Sequence, residues 1–189
     1  MKIPKASNPI ITIEQTKLLF DYLVAECPNL VVWFALKTWV GLRTSEADRF
    51  RYEWIDSEQK RVIIPGWEWV EGKLVQVAKT QDNWEIHDLE PCFWCWVQKY
   101  KEADEGPISK PSRLCWNLIK KHLKEKAGLE KWPSNALRNS FCTYHISLYR
   151  DANKTALVLK HTSPRTLYRE YLGNLVPKEK AQGYFEIVP

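Results

Sequence analysis

The chain has 189 residues, 44% of them hydrophobic and 13% aromatic, with a formal net charge of +5. This composition supplies an apolar core and excludes a chain that is disordered throughout, while the charge permits a polyanionic partner without requiring one. The cysteines are odd in number, at five, and the sequence has no targeting or membrane-spanning segment, so we expect a cytoplasmic protein in a reducing compartment.

The first part of the chain is predicted to be helical after an extended lead-in over residues 1–11. Thr12 and Gln15 have the spacing of a capping box, which begins a helix. A second, more buried helix is predicted over Leu30–Val40, and Gly41 is a natural stop for it.

The segment GLRTSE follows this buried helix. Thr44 or Ser45 can cap the next helix, which leaves Arg43 in the connection just before it. Glu46 then falls in the first turn, where a carboxylate suits the helix dipole. Taken alone, Arg43 is most simply a solvated loop arginine.

Three short strands are predicted next, over Arg61–Pro65, Lys73–Lys79 and Trp84–Leu89. A small antiparallel sheet is their simplest assembly. Lys79 ends the middle strand, at the mouth of its hairpin. A lysine there is usually a charged edge residue that discourages aggregation.

Helices account for the remainder of the chain. Pro91–Ala103 carries apolar residues at helical spacing, and Ser112 can cap a helix that ends at Gly128. The side chains of this second helix that we expect to face inward are Leu114, Leu118, Ile119 and Leu123. Its opposite face is basic and includes Lys120, Lys121 and Lys124, although most such runs are solvated faces.

The last helices contain the residues of greatest chemical interest. Ser134 is predicted to start the helix that holds Asn135 and Arg138, and another helix runs from Asp151 to about His161. Ser163 and Pro164 open a third, with Tyr168 and Tyr171 three residues apart. A guanidinium, an imidazole and a phenol together suit chemistry at a phosphodiester.

The predicted fold class is therefore α+β, mainly α, as one helical domain over residues 1–189 with a small three-stranded antiparallel sheet. Cys92 and Cys95 have the spacing of half a zinc site, but a second pair is missing from the sequence. No glycine-rich phosphate loop occurs. We expect neither a metal nor another cofactor.

Four motifs carry a resemblance to a known family: in order, they are GLRTSE, KTQDNWEIHDL, NALRNSF and LKHTSPRTLYREY. Together they resemble the catalytic domain of the tyrosine recombinases, the phage-integrase family, from Thr12 to about Val176. The resemblance implies metal-free and ATP-independent cutting and rejoining of DNA through a 3′-phosphotyrosyl intermediate. It assigns catalytic roles to Arg43, Lys79, Arg138, His161 and Tyr171, with Glu46 and Asn135 in support.

The sequence departs from the family pattern at three positions. Asn135 and Asn139 stand where the family commonly has histidine, and Lys160 stands where a glycine usually precedes the late histidine. An amide can hydrogen-bond an oxygen but cannot accept and return a proton near neutral pH. Tyr168 is a rival nucleophile, although the spacing from His161 to Tyr171 is closer to the family's.

The resemblance also implies partners. Double-stranded DNA is the expected one, with Lys120, Lys121 and Lys124 as candidate phosphate contacts. Residues 173–189 form a C-terminal tail that either docks on a neighbouring copy or folds back on its own domain. The N-terminal DNA-clasping domain that most family members carry is absent from this sequence, and we expect the protein to be associated with the nucleoid.

Three other functions remain open at this point. The first is a recombinase relative that binds DNA and no longer cuts it, which the two asparagines favour. The second is a type IB topoisomerase-like activity, with the same chemistry but strand swivelling in place of exchange. The third is a generic helical interaction domain that uses its many tryptophans.

Overall fold

The computed structural model describes residues 9–78, 82–160, 165, 167, 171 and 175–189. Its helices are α1 (Ile13–Glu26), α2 (Val31–Ala35), α3 (Thr44–Ala47), α4 (Pro91–Tyr100), α5 (Arg113–Ala127), α6 (Ala136–Tyr149), α7 (Ala152–Val158) and α8 (Lys178–Phe185). Its strands are β1 (Ile55–Asp56), β2 (Arg61–Ile64), β3 (Trp67–Val70), β4 (Lys73–Gln76) and β5 (Trp84–Ile86). A π-helical turn over Leu36–Val40 continues α2, and short 3₁₀ turns cover Pro28–Leu30 and Tyr52–Trp54.

The predicted helix caps are confirmed at three starts. The Thr12 hydroxyl accepts from the Gln15 amide at 3.1 Å, and the Gln15 side chain accepts from the Thr12 amide at 2.9 Å. Ser112 Oγ accepts from the third residue of α5 at 3.2 Å, and Asp151 Oδ1 accepts from Asn153 N at 2.7 Å. These bonds satisfy amides that a helix start otherwise leaves unpaired.

The predicted strands exist, but they belong to two sheets. One sheet has the antiparallel order β1-β2-β5, and β3 pairs with β4 in a separate hairpin. The sequence analysis missed β1 and β3 and placed β4 in the larger sheet. The physical reason is the Glu71-Gly72 turn, whose two residues have φ of 49° and 76°. A two-residue turn with both φ positive closes a local hairpin and fixes the partner of β4.

Helix α6 is the centre of the core. Its residues from Ala136 to Ser147 are all buried, and it packs against the π-helical turn, α7 and α8. On the other side of the π-helical turn, Trp39 stacks on Trp96 and contacts Phe20, with ring centroids 5.6 and 4.5 Å apart. Several of the tryptophans are therefore packing residues.

The inward face of α5 differs from the prediction. Ile119 and Leu123 are buried, but Leu114 and Leu118 are 70% and 47% exposed. The helix packs on α1, and its buried residues lie in the row of Cys115, Ile119 and Leu123, so half of the predicted inward set is confirmed. Neighbouring residues differ by about 100° around a helix, so Leu114 and Leu118 lie beside this row, at the surface.

The C-terminal tail folds back on its own domain. Tyr184 is fully buried, and its hydroxyl donates to the Thr38 carbonyl at 3.1 Å. The indole N–H of Trp96 donates to the Ile187 carbonyl at 2.8 Å. Of the two arrangements that the sequence left open, the single chain adopts the folded-back one, and docking on a neighbour stays a prediction.

Candidate active site

The connection after the π-helical turn lies directly against α6. Gly41 has φ of +74°, and its carbonyl oxygen accepts a hydrogen bond from Arg138 Nη1. A Cβ atom at this position would lie 2.7 Å from atoms of both Phe141 and Leu159. Only glycine combines the left-handed conformation with this close approach, which brings the chain around Arg43 next to the first half of α6.

Arg43 is held in place by Glu46. The Arg43 backbone amide donates to Glu46 Oε2, and its Nη1 donates to Oε1, both at 2.8 Å. Arg43 itself is thus the residue at the start of α3, in place of the predicted Thr44 or Ser45. The Glu46 side chain is 2% exposed and that of Arg43 is 30% exposed, so a buried carboxylate orients a guanidinium that a ligand can still reach.

Arg138 lies close enough to the other candidate residues to interact with them electrostatically. Burial lowers the pKa of the Arg138 guanidinium, and the positive charge of Arg43 lowers it further, while Cys142, Glu46 and Tyr171 act in the opposite direction. An arginine keeps its charge under such shifts because its intrinsic pKa is above 12. Hydrogen bonds place the same residues close together, since Arg138 binds the Gly41 carbonyl two residues before Arg43 and Tyr171 binds Asn139, the residue after Arg138. With the Arg43–Glu46 pair, the structure thus brings these four predicted residues together.

Asn139 connects this cluster to the phenol. Tyr171 is buried, and its Oη donates to Asn139 Oδ1 at 2.9 Å. Asn139 Nδ2 donates to the Ser134 carbonyl at 3.2 Å and to the Pro9 carbonyl at 3.5 Å. Because the amide nitrogen faces these two carbonyls, its oxygen faces Tyr171. The phenol therefore has an acceptor that cannot take its proton.

Asn135 has a backbone role that the sequence analysis did not predict. It begins α6 in the left-handed conformation, with φ of 53°, and its carbonyl accepts from the Asn139 amide at 2.8 Å. Its exposed side chain lines a groove of about 630 Å³, together with Thr44 and the first residues of α6. A supporting role for Asn135 at a phosphate stays a prediction.

Lys79, His161 and the rival Tyr168 lie outside the described residues. Described residues close to Lys79 and His161 in the chain are nevertheless in contact. Lys160 Nζ donates to the carbonyls of Asp82 and Asn83 at 2.9 and 3.0 Å. Lys160 has φ of 48°, a left-handed conformation in which glycine is favoured. The backbone at Lys160 thus has a conformation that glycine adopts more readily than lysine does.

The three candidate DNA-contacting lysines lie on the outer part of α5. Lys120 is half-buried, while Lys121 and Lys124 are exposed. Lys124 pairs with Glu130 at 2.7 Å, and Lys121 lies 3.9 Å from Glu125. Exposed pairs of this kind contribute little to stability and leave both ammonium groups accessible, so DNA contact by this face stays a prediction.

Lys37 is a buried residue next to the site that the sequence analysis missed. It lies in the π-helical turn and is 7% exposed; its Nζ donates to Thr44 Oγ1 at 2.5 Å and lies 4.6 Å from the centre of the Trp33 ring. The Trp33 indole donates to Asp48 at 3.1 Å. These contacts hold α3, whose N-terminal cap is Arg43. The sequence feature that could have revealed this burial is the single lysine in the otherwise apolar run LVVWFALKTWV.

The pKa of Lys37 gives a test of this burial. Burial lowers the pKa from 10.5 to about 8, so between these values the unfolded chain binds a proton that the folded chain has lost. The contribution of Lys37 to the free energy of unfolding therefore increases as the pH rises from about 8 to 10.5. We expect the unfolding free energy of wild type to rise relative to that of Lys37→Met by up to about 3 kcal/mol across this window.

Urea denaturation of both proteins at pH 7.5 and pH 10 measures this difference. Other groups titrate in the same range, but they are common to the two proteins and cancel in the comparison. Parallel pH dependences would show that Lys37 is solvated in the folded state.

The described part of the chain contains no group of three or more histidine, cysteine, aspartate or glutamate side chains arranged to hold a metal ion. Within the same residues, none of the helices has both the length and the apolar character needed to cross a membrane.

The fold is similar to the folds of two solved structures. No protein-family model matches the sequence, and no curated protein matches it. Solved structures do match: the integrase of transposon Tn1549, in complex with transposon right end DNA, has a TM-score of 0.63 at 15% identity, over 94% of this chain and 65% of its own. The XerA recombinase has a TM-score of 0.62 at 15% identity, over 100% of this chain and 67% of its own.

Both neighbours are tyrosine recombinases, so the fold predicted from the sequence resemblance is confirmed. The mainly α fold class with a small antiparallel sheet is confirmed by the same likeness. The chain spans about two thirds of the length of each neighbour. At 15% identity the likeness concerns the fold, and the chemistry has to be argued from the site.

Proposed function

We propose that this chain is the catalytic domain of a site-specific DNA recombinase or integrase that cuts and rejoins DNA through a 3′-phosphotyrosyl intermediate. The observation that carries the proposal is the cluster of Arg43, Glu46, Arg138 and Tyr171. Two guanidinium groups and a phenol lie together, one guanidinium is oriented by a buried carboxylate, and α6 supplies the rigid support. A fold shared with two recombinases supports it further.

In the first step, Tyr171 Oη attacks the scissile phosphorus and the bond from phosphorus to the 5′-oxygen breaks. Arg43 and Arg138 hold the nonbridging oxygens and offset the negative charge that develops on them. Arginine suits this role because its planar donors match two oxygens at once. Lys79 gives a proton to the departing 5′-oxygen, and His161 donates a further hydrogen bond to the phosphate.

The second step reverses the first. The 5′-hydroxyl of another strand attacks phosphorus, the bond to Tyr171 Oη breaks, and the tyrosine regains a proton. The covalent link conserves the energy of the phosphodiester bond, so the exchange requires neither ATP nor a metal ion.

The phenol of Tyr171 is activated differently with asparagine at position 139 than it would be with histidine there. Its Oδ1 positions Tyr171 Oη through a hydrogen bond, but an amide does not become protonated near neutral pH. Asn139 therefore positions the phenol without taking its proton, and water is the acceptor that we propose. Because position 139 supplies no base, we expect a slow reaction whose rate depends on pH.

We further propose that double-stranded DNA is the substrate and that the protein acts on DNA in the cytoplasm. One structural neighbour was solved with transposon end DNA, and the exposed lysines of α5 supply accessible positive charge. The whole of residues 1–189 is taken as one catalytic domain, and self-association on DNA completes the exchange of strands.

A second candidate function is supported by one specific observation. Tyr171 is buried and hydrogen-bonded to an amide that cannot take its proton, which also fits a relative that binds DNA without cutting it. The two candidates differ in a single observable, the covalent protein–DNA adduct.

The test is to incubate the protein with supercoiled plasmid at low salt and to quench the reaction with detergent. We expect relaxed plasmid and a covalent adduct, and peptide mass spectrometry of the adduct should place the nucleotide on Tyr171. Salt-sensitive binding without any adduct would favour the non-cleaving relative. Adduct and relaxation that need no pairing of two sites would favour a topoisomerase-like activity.

The role of Asn139 is tested by Asn139→His. A histidine at this position adds a base within reach of Tyr171 Oη, and positioned bases contribute a factor of about 10² or more. We expect the rate of adduct formation at pH 7 to rise by about 10²-fold relative to wild type. Tyrosine phenols ordinarily ionise near pH ~10, so the wild-type rate should climb as the pH rises, and that of Asn139→His should climb less.

Asn139→Gln is the matched control, since it keeps the amide and has a side chain of similar length to histidine. Single-turnover rates from pH 6 to 9 compare the three proteins. Equal rates for the glutamine and histidine variants at pH 7 would show that a base at position 139 does not change the limiting step.

A further inference from the structure

Two cysteines meet where α1 and α5 pack together. Cys27 follows the last residue of α1, and Cys115 lies in the first turn of α5. Their sulfur atoms are 3.3 Å apart, although the residues are 88 apart in the chain. The Cys27 amide donates to the Leu23 carbonyl at 2.9 Å and the Cys115 amide to Ser112 Oγ at 3.2 Å, so the helix caps fix the backbone at both positions.

The pair also differs from the other cysteines in accessibility. Cys27 and Cys115 are half-buried, while Cys92 and Cys142 are buried and Cys95 is exposed. The pair is therefore partly accessible to small oxidants. Cys95, exposed on α4, provides an internal reference for the reactivity of a solvated thiol.

We propose that Cys27 and Cys115 form a reversible intramolecular disulfide when the protein meets a peroxide or a small-molecule disulfide. The proposal is independent of the function proposed above. The sulfurs have to approach by about 1.2 Å to reach a normal bond length, a movement that side-chain rotation and slight helix adjustment can supply. The linkage would connect the C-terminal end of α1 to the first turn of α5.

The chemistry balances with hydrogen peroxide as the oxidant. One thiolate attacks a peroxide oxygen, the O–O bond breaks, and a sulfenic acid and water form. The second thiol attacks the sulfenic sulfur, the S–O bond breaks, and a second water leaves. Two thiols are oxidised to one disulfide, and one peroxide is reduced to two waters.

The environment of the pair sets the rate of the first step. Burial raises the pKa of Cys115 to about 11, with a further contribution from the neighbouring Cys27 thiol. Tyr22 of α1 lies near both thiols and near Glu26, and the His122 ring of α5 lies tilted against the Tyr22 ring with centroids 4.6 Å apart. The thiolate is the reacting form, so the reduced pair withstands mild oxidation and its oxidation speeds up as the pH rises.

The position of Cys115 gives the linkage a structural consequence. Ser112, Arg113 and Trp116, in the same turn of α5, line the groove that also contains Thr44 and Asn135. A bond at Cys115 therefore fixes one wall of the groove beside the site to α1. It also closes a long loop of chain, which restricts the unfolded state.

The experiment treats the full chain with hydrogen peroxide at pH 8, blocks the remaining thiols with N-ethylmaleimide and maps disulfides by peptide mass spectrometry without reduction. We expect a Cys27–Cys115 peptide from the monomer that dithiothreitol removes. It should be lost in Cys27→Ala and in Cys115→Ala and kept in Cys95→Ser. Oxidation should also raise the urea midpoint of wild type by about 1 M and leave that of Cys115→Ala unchanged.

The wild-type mapping needs no variant, so it decides the matter even if a substitution prevents folding. Oxidation of Cys95 without any Cys27–Cys115 link would overturn the proposal. So would a link that occurs only between two chains on a non-reducing gel, or separate addition of glutathione to each cysteine when oxidised glutathione is the oxidant.

Discussion

Replacing Tyr171 with phenylalanine is expected to abolish the covalent protein–DNA adduct and the relaxation of supercoiled plasmid. The substitution removes only the attacking oxygen, and no other group of the cluster can form the same link. It also removes the donor to Asn139 Oδ1, which costs about 1 kcal/mol of stability and leaves the ring in its buried place. The measurement is the fraction of plasmid that carries protein after a detergent quench.

Two matched variants make this result specific. Tyr168→Phe changes the rival nucleophile and should keep the adduct. Tyr144→Phe removes another buried phenol, which donates to the Ile11 carbonyl at 3.4 Å, and should also keep it. An adduct that persists in Tyr171→Phe and disappears in Tyr168→Phe would reassign the nucleophile and shift the predicted alignment by three residues.

Replacing Arg138 with alanine is expected to slow adduct formation by a factor of about 10² to 10³ or more. Removing one preorganised donor to a developing oxyanion costs about 3 kcal/mol of transition-state stabilisation. Arg138 supplies such a donor from the buried first half of α6, beside Arg43 and Tyr171. Single-turnover rates on a short labelled duplex measure the change without a contribution from product release.

Stability has to be separated from catalysis in this variant, because Arg138 also donates to the Gly41 carbonyl. Arg138→Lys keeps a positive charge but loses the fork of donors, and we expect a smaller loss of rate. Arg150→Ala, which removes an exposed arginine that contacts the Val176 carbonyl, should keep the wild-type rate. A folded Arg138→Ala protein with the wild-type rate would remove Arg138 from the mechanism.

The elements that the sequence predicted well are those decided by local chemistry. The capping box of Thr12, the cap at Ser112 and the cap at Asp151 each depend on hydrogen bonds within one turn of helix. The end of α5 at Gly128, with φ of 62°, is equally local. Such features can be read from a few consecutive residues, so tertiary packing did not override them.

The errors in the fold have two different causes. The strand β4 was placed in the wrong sheet because the β3 segment WEWV was not recognised as its partner, although the Glu71-Gly72 turn gave a usable signal. The stripe of α5 was predicted from its leucines, but the helix contacts α1 through the neighbouring row. Which row packs depends on the partner helix, and the sequence of α5 alone does not contain that information.

The candidate site also has some features that the sequence predicted and others that depend on how the chain packs. The order of Arg43, Glu46, Arg138 and Tyr171 predicted a cluster, and the structure brings these residues together. The sequence treated Asn139 as a departure from the family pattern, but its contact with Tyr171 depends on how the phenol-bearing segment lies against α6. Lys37 escaped notice because its burial results from the π-helical turn, which no sequence pattern predicted.

The folded-back helix α8 has a consequence for assembly. Tyr184, Phe185 and Ile187 occupy sites on the same chain, and a second copy offers identical sites, so two copies that exchange α8 would form the same contacts as two separate monomers. Domain swapping then changes the free energy chiefly through the entropy of association. In dilute solution the closed monomer is favoured, because the chain that connects α8 to its own domain gives α8 a high effective concentration there. If copies bind side by side on one DNA, the local concentration of a neighbouring copy's α8 rises, and the balance shifts towards exchange.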